Sequence, residues 1–446
     1  MANKDREQWG SRIGFILAAA GSAIGLGNIW RFPTVVGQSG GGAFLLVYLI
    51  ITFLVGIPLM IAELTIGRRG QTNIVGSFKK VAGDNWGIIG ALGVAAGFII
   101  LSFYSVIAGW GVAYIFKFLT GELANLGAEE VGNVFNELTS NPIVPIFWHG
   151  IFMSMTIGIV ILGIDKGIEK ASKLLMPILL VLLVLLAIRS VTLDGAMEGV
   201  SWYLRPNFAA IDRHIILSAL GQAFFSFSLG MGAILTYGSY LPKKENIPGS
   251  AVYIAIFDIF IAVLAGFIII PAVFAFGLEP GSGPPLIFIT LPAVFGAMPA
   301  GTFFGLLFFV LLTIAAVTSA ISLLEVVVAY FIDELKWDRK KASLLAGLAI
   351  FILGIPSSLS MGVMSDNLIF GMPFLDFMDY FASNVLLTLG GLFTAIVIGW
   401  VWKTSNAISE IEKSGDKFLL ATPWAFLIKW IMPVVLLVII VNGLFF

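Results

Sequence analysis

Two short stretches hold polar groups where an apolar chain has least reason to place them. Residues 21–33 read GSAIGLGNIWRFP and residues 222–232 read QAFFSFSLGMG, each inside a long apolar run. Glycine weakens a helix interior by about 1 kcal/mol relative to alanine and proline by about 3, so both runs are built to come apart in the middle. Opened backbone exposes N–H groups that attract an anion and carbonyls that attract a cation. For either stretch alone, a kink packed by glycines is the competing reading. The other polar residues inside apolar runs are Asn28, Arg31, Glu63, Asp258, Glu325, Asp376, Asp379 and Lys429. A charge at the centre of a membrane helix costs at least about 2.5 kcal/mol. Pairing, capping or snorkelling competes with a functional role for each, and snorkelling suits Lys429 best. His149 and His214 stand alone near the ends of their runs, and no carboxylate pair, His cluster or Ser/His set has catalytic spacing. Enzyme chemistry is not expected.

These groups need a scaffold that lipid tolerates. Hydrophobic residues make up 59% of the 446 and charged residues only 11%, against about 25% charged in a soluble domain. Apolar stretches fall at about 12–37, 42–66, 87–118, 143–162, 168–190, 213–240, 249–276, 302–332, 341–356, 374–402 and 421–445. That predicts an all-α membrane protein of eleven spans. Nineteen Lys and Arg, from Lys4, Arg6 and Arg12 through Lys417, fall on one face; Lys117, Arg189, Arg205 and Arg213 fall on the other. The bias predicts a cytoplasmic N-terminus and an external C-terminus. The polar start, MANKDREQW, suggests no removable signal peptide. Without cysteine there is neither disulfide nor thiolate metal site. The longer gaps, about 119–142, 191–212 and 277–301, are too small for further domains, and the apolar, proline-rich last one is expected to fold back as a hairpin. The basic loops follow from topology and imply no nucleic-acid partner. Two Gly-interrupted spans, first and sixth in order, point to a transporter made of two inverted five-helix repeats, 12–190 and 213–402, followed by an eleventh helix, 421–445.

GSAIGLGNIWRFP, with GGGAFLLVYLI and GIPLMIAELTIGR after it, strongly resembles the signature of the neurotransmitter:sodium symporters, which have the LeuT fold. GQAFFSFSLGMGAILTYGSYL, ITLPAVF, LTIAAVTSAISLLE and FLDFMDYF carry the resemblance over nearly the whole chain. Eleven spans resemble the bacterial amino-acid branch, near the multi-hydrophobic amino-acid transporters. The resemblance implies a substrate site in which Gly25 and Gly27 amides and the Tyr104 hydroxyl hold a carboxylate. Ala23 and main-chain carbonyls near Phe225, Ser226 and Ser228 complete its polar end. Ile100, Tyr104, Phe225, Met231, Ser319 and Leu323 would receive the side chain. Monoamine carriers of the family place an aspartate where Gly25 stands, so the substrate is expected to bring its own carboxylate, as a hydrophobic amino acid does.

The resemblance implies two sodium sites. One joins Ala23, Asn28, Ser226, Asp258 and the substrate carboxylate; the other joins Gly21, Ile24 and Ala315 carbonyls with Thr318 and Ser319. Back-bonded hydroxyls are the competing reading for Thr318-Ser319. Outside, Arg31 would pair with Asp379 as Tyr104 and Phe225 close over the substrate. Inside, Arg6 would pair with Asp333 while Trp9 and Tyr240 plug the exit. Glu63 is expected to accept hydrogen bonds from the unwound backbone. In the fifth span, GIEKASKLLMP runs from Gly167 to Pro177 and reads either as a helix that opens towards the second sodium site or as a helix start with a proline kink. Chloride-independent relatives place a glutamate one turn after an asparagine ligand; the matching positions here are Asp258 and Ala262, so the carboxylate sits on the ligand and no chloride is expected. Function is therefore expected to be sodium-coupled import of hydrophobic, possibly large and aromatic, L-amino acids across the plasma membrane. A proton-coupled permease of the same fold and a non-transporting receptor are the alternatives.

Overall fold

The computed structural model describes residues 6–277 and 286–445. Lys4 and the first part of the gap at 277–301 lie outside them. Among the described residues every regular element is helical. The chain runs through α1 (Arg12–Ala23), α2 (Gly27–Gln38), α3 (Gly42–Gly70), α4 (Ile74–Ala82), α5 (Asp84–Leu119), α6 (Ala128–Ser140), α7 (Val144–Val160) and α8 (Ile164–Val191). It continues through α9 (Ala196–Leu204), α10 (Arg213–Ser226), α11 (Ala233–Gly238), α12 (Ile247–Ala275), α13 (Leu286–Ala297), α14 (Gly301–Leu335), α15 (Arg339–Leu359), α16 (Phe374–Val401), α17 (Thr404–Ile411) and α18 (Ala421–Gly443).

Among the described residues, eight helices are long and apolar enough to cross a membrane, or up to ten if each bent pair, α1 with α2 and α6 with α7, is one span. The expected sixth span falls outside that count because it is broken over residues 227–232 into α10 and α11, each too short alone. The gaps read from sequence as loops carry helices α6 and α9. In the described part of the last gap, α13 packs inward: Tyr114 donates to the Phe288 carbonyl at 2.7 Å and Trp110 meets the Phe288 ring edge-on.

Local chemistry explains the element ends. Ser11, Asn73, Asp212, Asn246 and Asp338 each accept a backbone N–H at a helix start, as N-caps do. Along α8, Ile178, Val181, Leu185 and Ile188 form an exposed face, while Leu179, Leu182, Leu183 and Leu186 are buried. One stripe faces lipid and the other the bundle. The most enclosed span is α14 and the most peripheral is α18.

The two breaks have different causes. In the first, Ile24 is extended (φ −82°, ψ 96°) and the axis turns by 51°. In the second, Ser228, Gly230 and Gly232 all have positive φ. A Cβ on Gly230 would lie 2.0 Å from the Leu387 carbonyl oxygen, so no larger residue fits. Ser228 holds the left-handed conformation without glycine's freedom, a strain of about 1–3 kcal/mol. Its hydroxyl donates to the Ser22 carbonyl at 2.8 Å, tying one break to the other. Glu63 accepts the Gly230 N–H at 2.7 Å, the bond expected between that carboxylate and the unwound backbone.

Candidate functional site: a pocket between two broken helices

The breaks face each other across an apolar pocket. Ten of the eleven residues expected around the substrate line it: Ala23, Gly25, Gly27, Ile100, Tyr104, Phe225, Ser228, Met231, Ser319 and Leu323. Ser22 and Leu26 join them, unforeseen from sequence. Ser226 does not line it, because it ends the wound part of α10 and its hydroxyl turns towards Asp258. The Leu26 N–H donates to the Tyr104 hydroxyl oxygen at 3.2 Å, leaving the phenolic O–H as a donor at the polar end. A Cβ on Gly25 would come within 2.3 Å of Ser319 Oγ and 2.8 Å of the Tyr104 hydroxyl. No side-chain carboxylate fits there without displacing both.

One oxygen cluster lies beside the pocket, around Asp258 on α12. Asn28 Nδ2 donates to Asp258 Oδ1 at 2.8 Å. Ser226 Oγ lies 2.8 and 3.1 Å from the two carboxylate oxygens and 3.3 Å from Asn28 Oδ1. The Tyr48 hydroxyl on α3 reaches Asp258 Oδ2 and Ser226 Oγ, each at 3.3 Å. All four side chains are buried. A carboxylate this far from water demands donors or a cation. Gln222, one turn before Ser226, donates to the Gly27 carbonyl at 2.9 Å, while its own oxygen is buried and unpartnered. Sequence reading missed Tyr48 and Gln222; a tyrosine and a glutamine inside apolar spans were the available signals.

A second cluster joins α1 to α14. Ser319 Oγ lies 3.0 Å from the Ser22 carbonyl, 3.3 Å from that of Gly21 and 3.4 Å from that of Ile24. Thr318 Oγ1 lies 3.4 Å from the Ile24 carbonyl and 3.0 Å from that of Ala315. The last contact is the back-bonding weighed from sequence, and it coexists with the approach to α1. Among the described residues no three His, Cys, Asp or Glu converge. The oxygens are hard and mostly neutral, which suits a small hard cation and not a soft transition metal.

The two ends of the pocket differ. Tyr104 and Phe225 separate it from a vestibule of about 710 Å³, lined by Trp30, Phe103, Ile107 and Trp110 and by Arg31, Asp376 and Asp379. Arg31 and Asp379 were expected to pair. Here Arg31 lies over the Phe225 ring at 4.7 Å, Asp379 accepts from Ser383, and no ion pair within 4.0 Å joins the two. The physical reason is the open vestibule between them.

The opposite end is shut. Arg6 pairs with Asp333 at 2.6 Å, donates to Ser239 Oγ at 2.7 Å and lies over the Tyr240 ring. Buried Trp9 donates to the Tyr237 carbonyl at 3.0 Å and meets Tyr240 edge-on. Sequence reading missed the second ionic layer, in which Arg339 bridges buried Glu325 (2.7 Å) and Glu7 (3.0 Å) and Tyr240 donates to Glu325 at 2.6 Å. Close by, α8 is wound through both Gly167 and Pro177.

Residues 6–140 and 146–445 match the sodium:neurotransmitter symporter family. The chain belongs to that family. It is 44% identical to an uncharacterized sodium-dependent transporter, YhdH, of Bacillus subtilis, over 99% of this chain and 98% of the relative. It is 27% identical to the sodium- and chloride-dependent GABA transporter 2 of Rattus norvegicus, over 92% of this chain and 75% of the relative. The crystal structure of MhsT in complex with L-phenylalanine superposes with a TM-score of 0.91 at 50% identity, covering 98% of this chain and all of that one. The protein is thus a multi-pass, sodium-dependent membrane transporter of the LeuT fold and not an enzyme.

Proposed function

We propose that the protein imports hydrophobic L-amino acids, large and aromatic ones included, together with two sodium ions and without chloride. The observation that carries this is the sharing of residues between pocket and clusters. Ala23 and Ser319 line the apolar pocket and belong to the two proposed ion sites, so filling one shapes the other. Sodium at Ala23, Asn28, Ser226 and Asp258 would take the substrate carboxylate as a further ligand. Each then raises the other's affinity by the same factor, the thermodynamic basis of symport. The second ion would take Gly21, Ile24, Ala315, Thr318 and Ser319.

Pocket chemistry supports the substrate class. Apart from Tyr104 and the hydroxyls of Ser22, Ser228 and Ser319, the side chains around it are apolar, and Gly25 leaves no room for an acid. A bound amine without a carboxylate would meet opened N–H groups and no counter-charge. L-phenylalanine in MhsT, half of whose residues this chain shares, agrees with a large side chain. Asp258 supplies the negative charge that a halide would otherwise bring.

The pattern of gates supports alternating access. With the vestibule open and the Arg6 end shut, the structure has the form expected of an outward-facing carrier. Arg31–Asp379 pairing above the pocket, then release of Arg6–Asp333 and opening of Gly167–Pro177 below it, would complete the cycle. The N-terminus would face the cytoplasm and the C-terminus the exterior of the plasma membrane. Eleven spans would comprise inverted repeats 12–190 and 213–402 plus the helix at 421–445, rocking about the pocket.

Uptake of labelled phenylalanine or leucine into proteoliposomes tests the whole reading. An inward sodium gradient should drive accumulation in gluconate medium, and a proton gradient alone should not. Accumulation driven by protons without sodium would favour the permease; sodium-dependent binding without uptake would favour a receptor.

A further inference from the structure

A buried carboxylate outside the pocket is not used by anything described so far. Glu169, two residues after Gly167, is almost wholly buried (1% exposed). It accepts the Gly10 N–H at 2.7 Å and the Ser11 hydroxyl at 2.8 Å, and Lys173 one turn on pairs with it at 2.6 Å. Ser11 in turn caps α1. The segment is fitted to this carboxylate: a Cβ on Gly14 would overlap Glu169 at 2.1 Å, and one on Gly10 would lie 2.6 Å from Asp165. A second strap lies alongside, where Glu7 accepts the Ile164 N–H at 3.0 Å. The first turns of α8 therefore hold the N-terminal segment at both ends of residues 7–11, the stretch that also carries Trp9.

We infer that Glu169 is a positioning residue that latches the N-terminal segment to the opening part of α8, so that release of the inner gate and unwinding between Gly167 and Pro177 occur as one event. The inference rests on the proposed role of that stretch as the opening segment. If α8 unwinds near Gly167, the Glu169 carboxylate leaves Gly10 and Ser11. If Arg6 and Trp9 swing away first, the carboxylate loses its two donors from the segment and keeps only the half-exposed Lys173. Buried charge without donors is unfavourable, so either movement promotes the other. Exit of an ion from the Thr318 cluster would follow, because Met176 on α8 packs against Gly21 at its edge.

The chain contains no cysteine, so a single Met176→Cys reports opening through a membrane-impermeant thiol reagent applied to the N-terminal face in sodium. In that background, Glu169→Gln should speed labelling about tenfold, as expected for losing a hydrogen-bonded charge. Arg6→Ala, which touches only the gate, should speed it similarly, and because both act on one event the effects should multiply in the double variant. Glu169→Asp should recover part of the protection, and Ser11→Ala should show a smaller increase, should Glu169→Gln fail to fold. Unchanged labelling in Arg6→Ala with fast labelling in Glu169→Gln, or unchanged labelling in Glu169→Gln with fast labelling in Arg6→Ala, would overturn the latch alone. Slow labelling in every variant would instead overturn the opening of α8 on which it rests.

Discussion

The two oxygen clusters beside the pocket follow opposite electrostatic plans. Around Asp258 there is one carboxylate, fully buried, with donors from three other helices, α2, α3 and α10. Around Thr318 and Ser319 there are only hydroxyls and carbonyls, and the hydroxyls satisfy themselves on backbone oxygens of α1 and α14. A carboxylate pulls on a cation over several ångströms, whereas neutral oxygens hold one only when several are in place together. The charged cluster also adjoins the polar end of the pocket, and the neutral one adjoins α8. On the proposed reading, affinity and coupling to substrate would belong to the first cluster, and timing of release to the second.

Removing the charge should have the largest effect. Across about 4 Å at an effective dielectric of 20, a carboxylate and a monovalent ion attract by about 4 kcal/mol. Asp258→Asn should therefore weaken sodium-dependent substrate binding by about a hundredfold, allowing for replacement of the carboxylate by an amide oxygen that still ligates. Added chloride should restore part of the loss. A sodium titration in gluconate and in chloride measures both, and normal affinity in gluconate would remove the charge argument. Thr318→Val with Ser319→Ala deletes two of the proposed neutral ligands, each equivalent to about 1 kcal/mol. A loss near thirtyfold in sodium-driven uptake is expected, with the protein still inserted in the membrane.

Legibility from sequence divides along the same line. Asp258, Asn28, Thr318 and Ser319 stand out because a polar side chain inside an apolar run costs energy and so calls for a reason. The breaks were legible because glycine clusters oppose helix. Glu169, Glu7 and Arg339 were not, because charges at the end of a span look like solvated surface until the fold shows what covers them. The absent Arg31–Asp379 pair was not legible either: sequence lists possible partners, while the conformation decides which are together. Helices α6 and α9 were read as loop because sequence length alone excludes only a separate domain, not a short helix packed on the bundle.

A smaller change tests timing alone. Pro177 interrupts the hydrogen bonding of α8, a cost of about 3 kcal/mol in a helix interior, and Pro177→Ala should make the wound form more stable. Uptake should fall severalfold while equilibrium binding of sodium and substrate changes little. Parallel losses in both, or no change in either, would assign the proline to packing.

The smallest effect expected is the most discriminating between the clusters. Tyr48 reaches the charged cluster through a hydroxyl 3.3 Å from both Asp258 and Ser226, at the long end of hydrogen bonding. Its ring packs between Phe32 and Phe44, with centroids 5.0 and 6.1 Å away. Tyr48→Phe keeps that packing and removes only the hydroxyl, so folding and insertion should be unchanged. Loss of one modest bond, about 1 kcal/mol, predicts a roughly fivefold fall in sodium affinity. Two conditions make the result informative. The fall should vanish when Asp258→Asn is already present, because the hydroxyl then has no carboxylate to orient. It should persist beside Thr318→Val and Ser319→Ala, because those residues do not touch it. Equal effects in both backgrounds would show that Tyr48 acts through general packing, and the electrostatic separation of the two clusters would lose its most direct support.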